Sequence, residues 1–146
     1  MPEPQTIERA REDARQGKCP STQAGEFVRE EIHHVREGKH GARSPQQAIA
    51  IGLSKARRAG IKLGAPRGPK ALRKKAIQDE QAGEYGSQKV SRSRSRATEG
   101  ALQRESRKSA SSAELARQAK RAAAKRGSNA RSRAATKAAR TRKAHA

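Results

Sequence analysis

The sequence of 146 residues contains one Phe, one Tyr and no Trp, and only 32% of it is hydrophobic, much of that alanine. So few large apolar side chains exclude a broad core. Burial stabilises by about 25 cal/mol per Å², against an ordering cost of roughly 1.5 kcal/mol per residue. The composition therefore predicts a small folded unit, with most of the chain disordered or transiently helical. The single cysteine, Cys19, excludes an internal disulfide framework and fits a reducing compartment. No window approaches the roughly 20 apolar residues of a membrane span. The start, MPEPQTIERAREDARQG, lacks the basic and apolar regions of an export signal. The expected location is the cytoplasm, in the nucleoid, with no membrane anchor.

Motifs of catalysis are absent too. There is no Gly-rich phosphate loop, nucleophile elbow or convergent acid/base set, so the reading is non-enzymatic, with no catalytic residue and no cofactor. His33, His34 and His40 lie near Cys19, Glu30 and Glu31. Adjacent histidines on a helix diverge by about 100°, however, no His pair has i, i+4 spacing, and a CxxC pair is missing. These histidines are read as solvated or cap-associated, and no metal ligand is assigned.

What the chain has in excess is positive charge: 35 Lys/Arg against 14 Asp/Glu give +21 and a pI near 11.5. Residues 1–63 carry 12 Lys/Arg and 8 Asp/Glu, a net +4, whereas residues 64–146 carry 23 and 6, a net +17. Self-repulsion at that density opposes compaction, and a polyanion relieves it.

Apolar periodicity is confined to Glu26–Leu63. A helix from about Gln23 to Glu37 puts Ala24, Phe27, Val28, Ile32 and Val35 on one face, with Glu31 inside the stripe and Gly38 as C-terminal cap. Ser44-Pro45-Gln46-Gln47 is a capping-box start for a second helix running to Ala59, whose main stripe is Ile49, Gly52, Leu53 and Ala56. Gly52 allows the first helix to come close. Ile51 lies off that stripe, so Ile61 and Leu63 folding back, or a second chain, must cover it. A homodimer through the hairpin follows as an expectation, because two helices of this size have little core.

The fold class expected is mostly α: a short two-helix hairpin with flanking marginal helices and a largely disordered basic C-terminal tail. Residues 1–20 form a solvated, frayed helix and linker, 21–63 the hairpin, 64–90 a linker with a short helix opened by Pro69, and 91–146 the Ser/Arg and Ala/Lys/Arg-rich tail. Repulsion is expected to keep Ser91–Arg96 extended. Ser111 with Glu114 opens a helix of marginal stability that stops at Gly127.

The charge points to nucleic acid. Lysine and arginine pair with phosphates and release counterions, giving affinity that is weakly sequence-dependent and steeply salt-dependent. Candidate contacts are Lys55, Arg57, Arg58 and Lys62 at the end of the hairpin, then Arg67, Lys70, Arg73, Lys74 and Lys75 in the linker. The Ser/Arg run adds Arg92, Arg94 and Arg96. The tail adds Arg117, Lys120, Arg121, Lys125, Arg126, Arg131, Arg133, Lys137, Arg140, Arg142 and Lys143. Single-strand readers use aromatic platforms, and the shortage of aromatics favours duplex DNA over RNA. An RNA- or ribosome-associated factor is the alternative, as is a protein adaptor using the hairpin. Base-specific reading by a helix-turn-helix is disfavoured, because GKHGAR exceeds the usual turn and only Gln46 and Gln47 stand near the start of the second helix.

Glu26–Leu63, and above all RSPQQAIAIGLSKARRAG, resembles an uncharacterised bacterial family of small basic proteins carried under a domain-of-unknown-function label. That resemblance implies a bacterial origin and transfers no activity or site residue. The tail is similar in composition to the C-terminal extensions of bacterial histone-like proteins, though it lacks their regular Lys-Ala-Ala repeats.

Overall fold

The computed structural model describes residues 1–86 and 89–146, which form six α-helices and one 3-10 turn with no strand among the described residues. The helices are α1 (Pro4–Arg15), α2 (Pro20–Glu37), α3 (Pro45–Arg58), α4 (Lys70–Tyr85), α5 (Arg92–Gln103) and α6 (Ser112–Ala144), with the 3-10 turn at Arg107–Ala110. Met1–Ser111 forms one compact unit and Ser112–Ala146 a second.

The hairpin of α2 and α3 is the centre of the first unit. Its local chemistry follows the sequence closely. Ser44 Oγ accepts from the Gln47 amide at 3.2 Å, and Gln47 Oε1 reaches back to the Arg43 amide at 2.6 Å. The first bond satisfies an orphan donor of the first turn, and the second ties the residue before the cap to α3. At the end of α2, Gly38 is left-handed (φ 78°), the Gly38 amide donates to Val35 O at 3.2 Å and the Lys39 amide to His34 O at 3.0 Å. This closure turns the chain back so that His40 returns toward α2.

Alanine builds most of the interior. One cluster joins Ala10, Ala24, Phe27 and Ala56, with Ile7, Leu53, Ile61 and Leu63 packed around it. A second joins Val35, Ala42, Ala48 and Ala110, with Ile32 at its edge. Helices faced with alanine bury little area per residue, so they must approach closely to gain packing. Gly52 sets that approach: a Cβ there would lie 2.6 Å from Val28 Cα and 2.9 Å from Val28 N.

Three features correct the sequence expectations. First, α1 is docked on α2, with Thr6 and Ala10 buried, rather than frayed in solvent. Second, α4 packs on α3, and the 3-10 turn packs on both hairpin helices, where Arg36 Nε donates to Ala110 O at 2.8 Å. The cover that the hairpin needs comes from its own chain. Ile61 and Leu63 do fold back, onto the Phe27–Ala56 cluster; half-buried Ile51 shares a face with Ser54 and Arg58, whose side chains bond Asp79 of α4.

Third, the C-terminal region is not a disordered tail. The Ser/Arg run lies in α5, and α6 continues past Gly127 to Ala144. Ala, Arg, Lys and Gln rank among the strongest helix formers, and that propensity outweighs the repulsion between exposed, hydrated cations. The end of α5 is also tied down: the Gly41 amide donates to Leu102 O at 2.8 Å and the Ala42 amide to Ser106 O at 3.1 Å. Gly127 (φ 76°, ψ 166°) does break helical geometry, as its position predicts, but the chain resumes the helix immediately after it.

Candidate functional site

The cations named from the sequence fall into two groups. In the first unit, five are engaged by carboxylates. Lys55 Nζ lies 2.7 Å from Glu31 Oε2, Arg58 Nε 2.8 Å and Lys75 Nζ 2.7 Å from Asp79 Oδ1, and Lys62 Nζ 2.8 Å from Glu84 Oε1. Arg57 is buried, 3.7 Å from Glu80 Oε1, and donates to Gly64 O at 3.3 Å. Arg57 and Lys55 are thereby drawn into the fold, whereas Arg58, Lys62 and Lys75 remain exposed with their charge paired. Arg67, Lys70, Arg73 and Lys74, like Arg92, Arg94 and Arg96, are exposed.

The second group forms α6. Residues 112–146 hold 11 Lys/Arg and a single acidic residue, Glu114, which pairs with Arg117. No residue of α6 is buried. Between Ser112 and Gly127 the helical register sets Arg117, Lys120, Arg121 and Lys125 on one face and Leu115, Ala119, Ala122 and Ala123 on the other. Beyond Gly127, Arg133, Lys137 and Arg140 form a ridge at i, i+4, i+7, while Arg131 and Arg142 lie on the opposite side. Arg131 and Arg142 also bond carbonyls of their own helix, Ala123 O at 3.5 Å and Ala138 O at 3.3 Å. At about 1.5 Å per residue, the segments on either side of Gly127 are each roughly 22–26 Å long.

A second assembly of charge is internal. Glu31 is 1% exposed and stands in the apolar stripe of α2. His40 Nε2 lies 2.9 Å from its Oε1 and Lys55 Nζ 2.7 Å from its Oε2, yet neither approach has hydrogen-bond geometry, and among the described residues neither oxygen accepts a hydrogen bond. Next to it, buried Glu30 accepts from the Glu3 amide at 3.2 and 3.3 Å. His34 Nε2 lies 3.0 Å from Glu3 Oε1, and Lys39 Nζ 3.1 Å from the same oxygen. Hydrogen bonds from His34 and then Lys39 hold the Glu3 carboxyl down at about 2. His33 is exposed, as expected, but His34 and His40 are not solvated: their side chains are 13% and 15% exposed, with ring centroids 6.2 Å apart. The signal for this cluster was Glu31 itself, an acid placed where the periodicity called for an apolar residue.

Asp79 is the buried acid that joins α3 to α4. It accepts from Ser54 Oγ at 2.7 Å, Arg58 Nε at 2.8 Å and Lys75 Nζ at 2.7 Å. Burial pushes its pKa up, but the bonds from Lys75, Ser54 and Arg58 outweigh that and hold it below the usual carboxylate value. A depressed folded pKa means stability that is present above the unfolded value of about 3.9 and is lost as pH falls below it. Asp79→Asn is expected to cost about 1.5–3 kcal/mol at neutral pH, since charged hydrogen bonds are lost while Arg58 and Lys75 can still reach water. Urea unfolding at pH 7 and pH 3 checks this. The gap between wild type and D79N should narrow at the lower pH.

Together these features define an all-helical protein with a basic helical C-terminal unit, and no described helix is long and apolar enough to cross a membrane. Comparison with family models, curated proteins and solved structures gives no match to the chain.

Proposed function

We propose that this is a non-enzymatic nucleic-acid-binding protein that engages the phosphate backbone of duplex DNA through α6, with α5 adding contacts and with little sequence preference. The observation that carries the reading is α6 itself: 11 cations, one carboxylate and no buried residue. A helix of that charge gains nothing from its own packing, and phosphate neutralises the repulsion along it. A role in the nucleoid fits this backbone-directed mode. RNA is the alternative partner. Tyr85 is 85% exposed and offers one base-stacking surface, but a single ring makes a poor platform for single strands.

If about 8 phosphates are contacted, log K should fall with log[salt] at a slope near −7 on duplex DNA. Changing Lys120, Arg121, Lys125 and Arg126 to Gln in the full chain should make that slope shallower by about 3 to 4. Fluorescence titration of labelled duplex DNA at several salt concentrations measures both, with duplex RNA and single strands as competitors. A flat salt response, or equal affinity of the variant, would overturn the proposal; stronger competition by RNA would transfer it to the alternative partner.

A further inference from the structure

We infer that Glu31, His34 and His40 form a binding site for a divalent transition metal ion of the zinc class, independently of any nucleic-acid binding. One ligand atom from each residue, a carboxylate oxygen and two ring nitrogens, lies within 4.8 Å of the others. Tetrahedral zinc with ligands at about 2.0–2.1 Å needs donor atoms roughly 3.3 Å apart. The pair of His40 Nε2 and Glu31 Oε1 is already at 2.9 Å, so closing the set requires the His34 nitrogen to move in from within 4.8 Å.

Two observations favour a metal ion at this position. The first is Glu31, whose two oxygens are buried and accept no hydrogen bond among the described residues. Lys55 Nζ, 2.7 Å from Oε2, supplies positive charge without hydrogen-bond geometry, and a metal ion would satisfy the carboxylate directly. The second is the orientation of His40. Its Nδ1 lies 2.9 Å from Gly41 O. A carbonyl can only accept, so Nδ1 donates and Nε2 is the nitrogen that faces Glu31. Nε2 and Glu31 Oε1 stand 2.9 Å apart, and a metal ion held between them would be bound by both. A backbone carbonyl that fixes the far nitrogen of a histidine is the usual outer partner of a metal-bound imidazole.

The fold explains how ligands so poorly spaced in sequence meet. Glu31 and His34 stand at i, i+3 on one face of α2, and the left-handed turn at Gly38 returns the chain so that His40 faces them. Lys55 is the resident cation, 2.7 Å from Glu31 Oε2. Its side chain is 24% exposed and can extend into water when a metal takes its place. A fourth position is left to water or to the Glu3 carboxylate beside His34.

The test uses the full chain freed of metal with a chelator and titrated with Zn²⁺ or Co²⁺. The expected result is one equivalent bound at micromolar or lower concentration, visible ligand-field bands of four-coordinate Co²⁺, and a higher melting temperature. H34Q/H40Q should lose the bands and at least a hundredfold in affinity. C19S/H33Q/H145Q, which removes the other soft ligands, should retain both. K55M removes the competing ammonium: its Zn²⁺ affinity should rise at least tenfold, and Zn²⁺ should restore its melting temperature. Absence of stoichiometric binding, binding that survives H34Q/H40Q, or a K55M melting temperature indifferent to Zn²⁺ would overturn the assignment. Circular dichroism reports whether each variant keeps its helices, and the K55M arm decides where the histidine variants unfold.

Discussion

In metal-free buffer, Lys55→Met is expected to remove about 3–5 kcal/mol of stability, the cost of leaving a buried charge without its counterpart. Lys55 Nζ stands 2.7 Å from Glu31 Oε2 and 3.9 Å from Glu30 Oε1, and both carboxylates are buried. Methionine keeps the length and apolar stem of lysine, so packing changes little. What changes is the charge balance around two neighbouring acids in the middle of α2. Restoring neutrality without the lysine requires a proton on a carboxyl or on the His40 ring, 2.9 Å from Glu31, or Glu31 to turn out of the stripe and drag the α2–α3 contact with it. Urea unfolding of K55M beside K55M/E31Q measures the effect. The double variant should recover most of the loss, because the stranded acid is then neutral.

Gly52 is expected to be nearly as sensitive, in the opposite sense of volume. Alanine there would gain about 1 kcal/mol of helix propensity over glycine in an exposed helix. Its Cβ would meet Val28 Cα at 2.6 Å and Val28 N at 2.9 Å, and both are backbone atoms that no rotamer change can move. The helices must separate, which loosens the alanine contacts on both sides. Overpacking of this kind costs about 1–3 kcal/mol and occasionally more. Gly52→Ala should therefore be destabilising by about 0–2 kcal/mol net, and Gly52→Val by about 3 kcal/mol or more, with a larger side chain and a smaller propensity gain. Thermal melts followed by circular dichroism check the order wild type, Ala, Val.

The parts of the fold legible in the sequence were those carried by local rules. Ser44, Pro45 and Gln47 marked the start of α3, Gly38 the end of α2, and the stripe from Ala24 to Val35 its buried face. The elements that escaped were those whose structure depends on alanine. Weighing Ala as a weak core former underrated the docking of α1, because Ala10 contributes by letting α1 come close rather than by its own area. The same weighting made the basic tail look disordered, although Ala, Arg and Lys favour helix without any tertiary contact. The Ser/Arg run shows no helical signal of its own because its helix is anchored from outside, by amides of Gly41 and Ala42. Of the candidate cations, sequence gave no means to separate Lys55, Arg57 and Arg58, which face acids on neighbouring helices, from those of α6. Pairings across helices depend on register between elements, which charge counting does not contain.

The alanine interior also sets how the fold responds to temperature. The heat-capacity increase on unfolding comes from apolar surface newly exposed to water and is reduced by polar surface. Among the described residues, seven of the nine buried hydrophobic side chains are alanines, and Glu30, Glu31, Arg57 and Asp79 are buried with them. The increment should therefore fall below the usual value of about 12–15 cal/mol/K per residue. A small increment flattens the curve of stability against temperature. Such a protein has no pronounced optimum, and cold weakens it less than a fold of the same size built on leucine and phenylalanine.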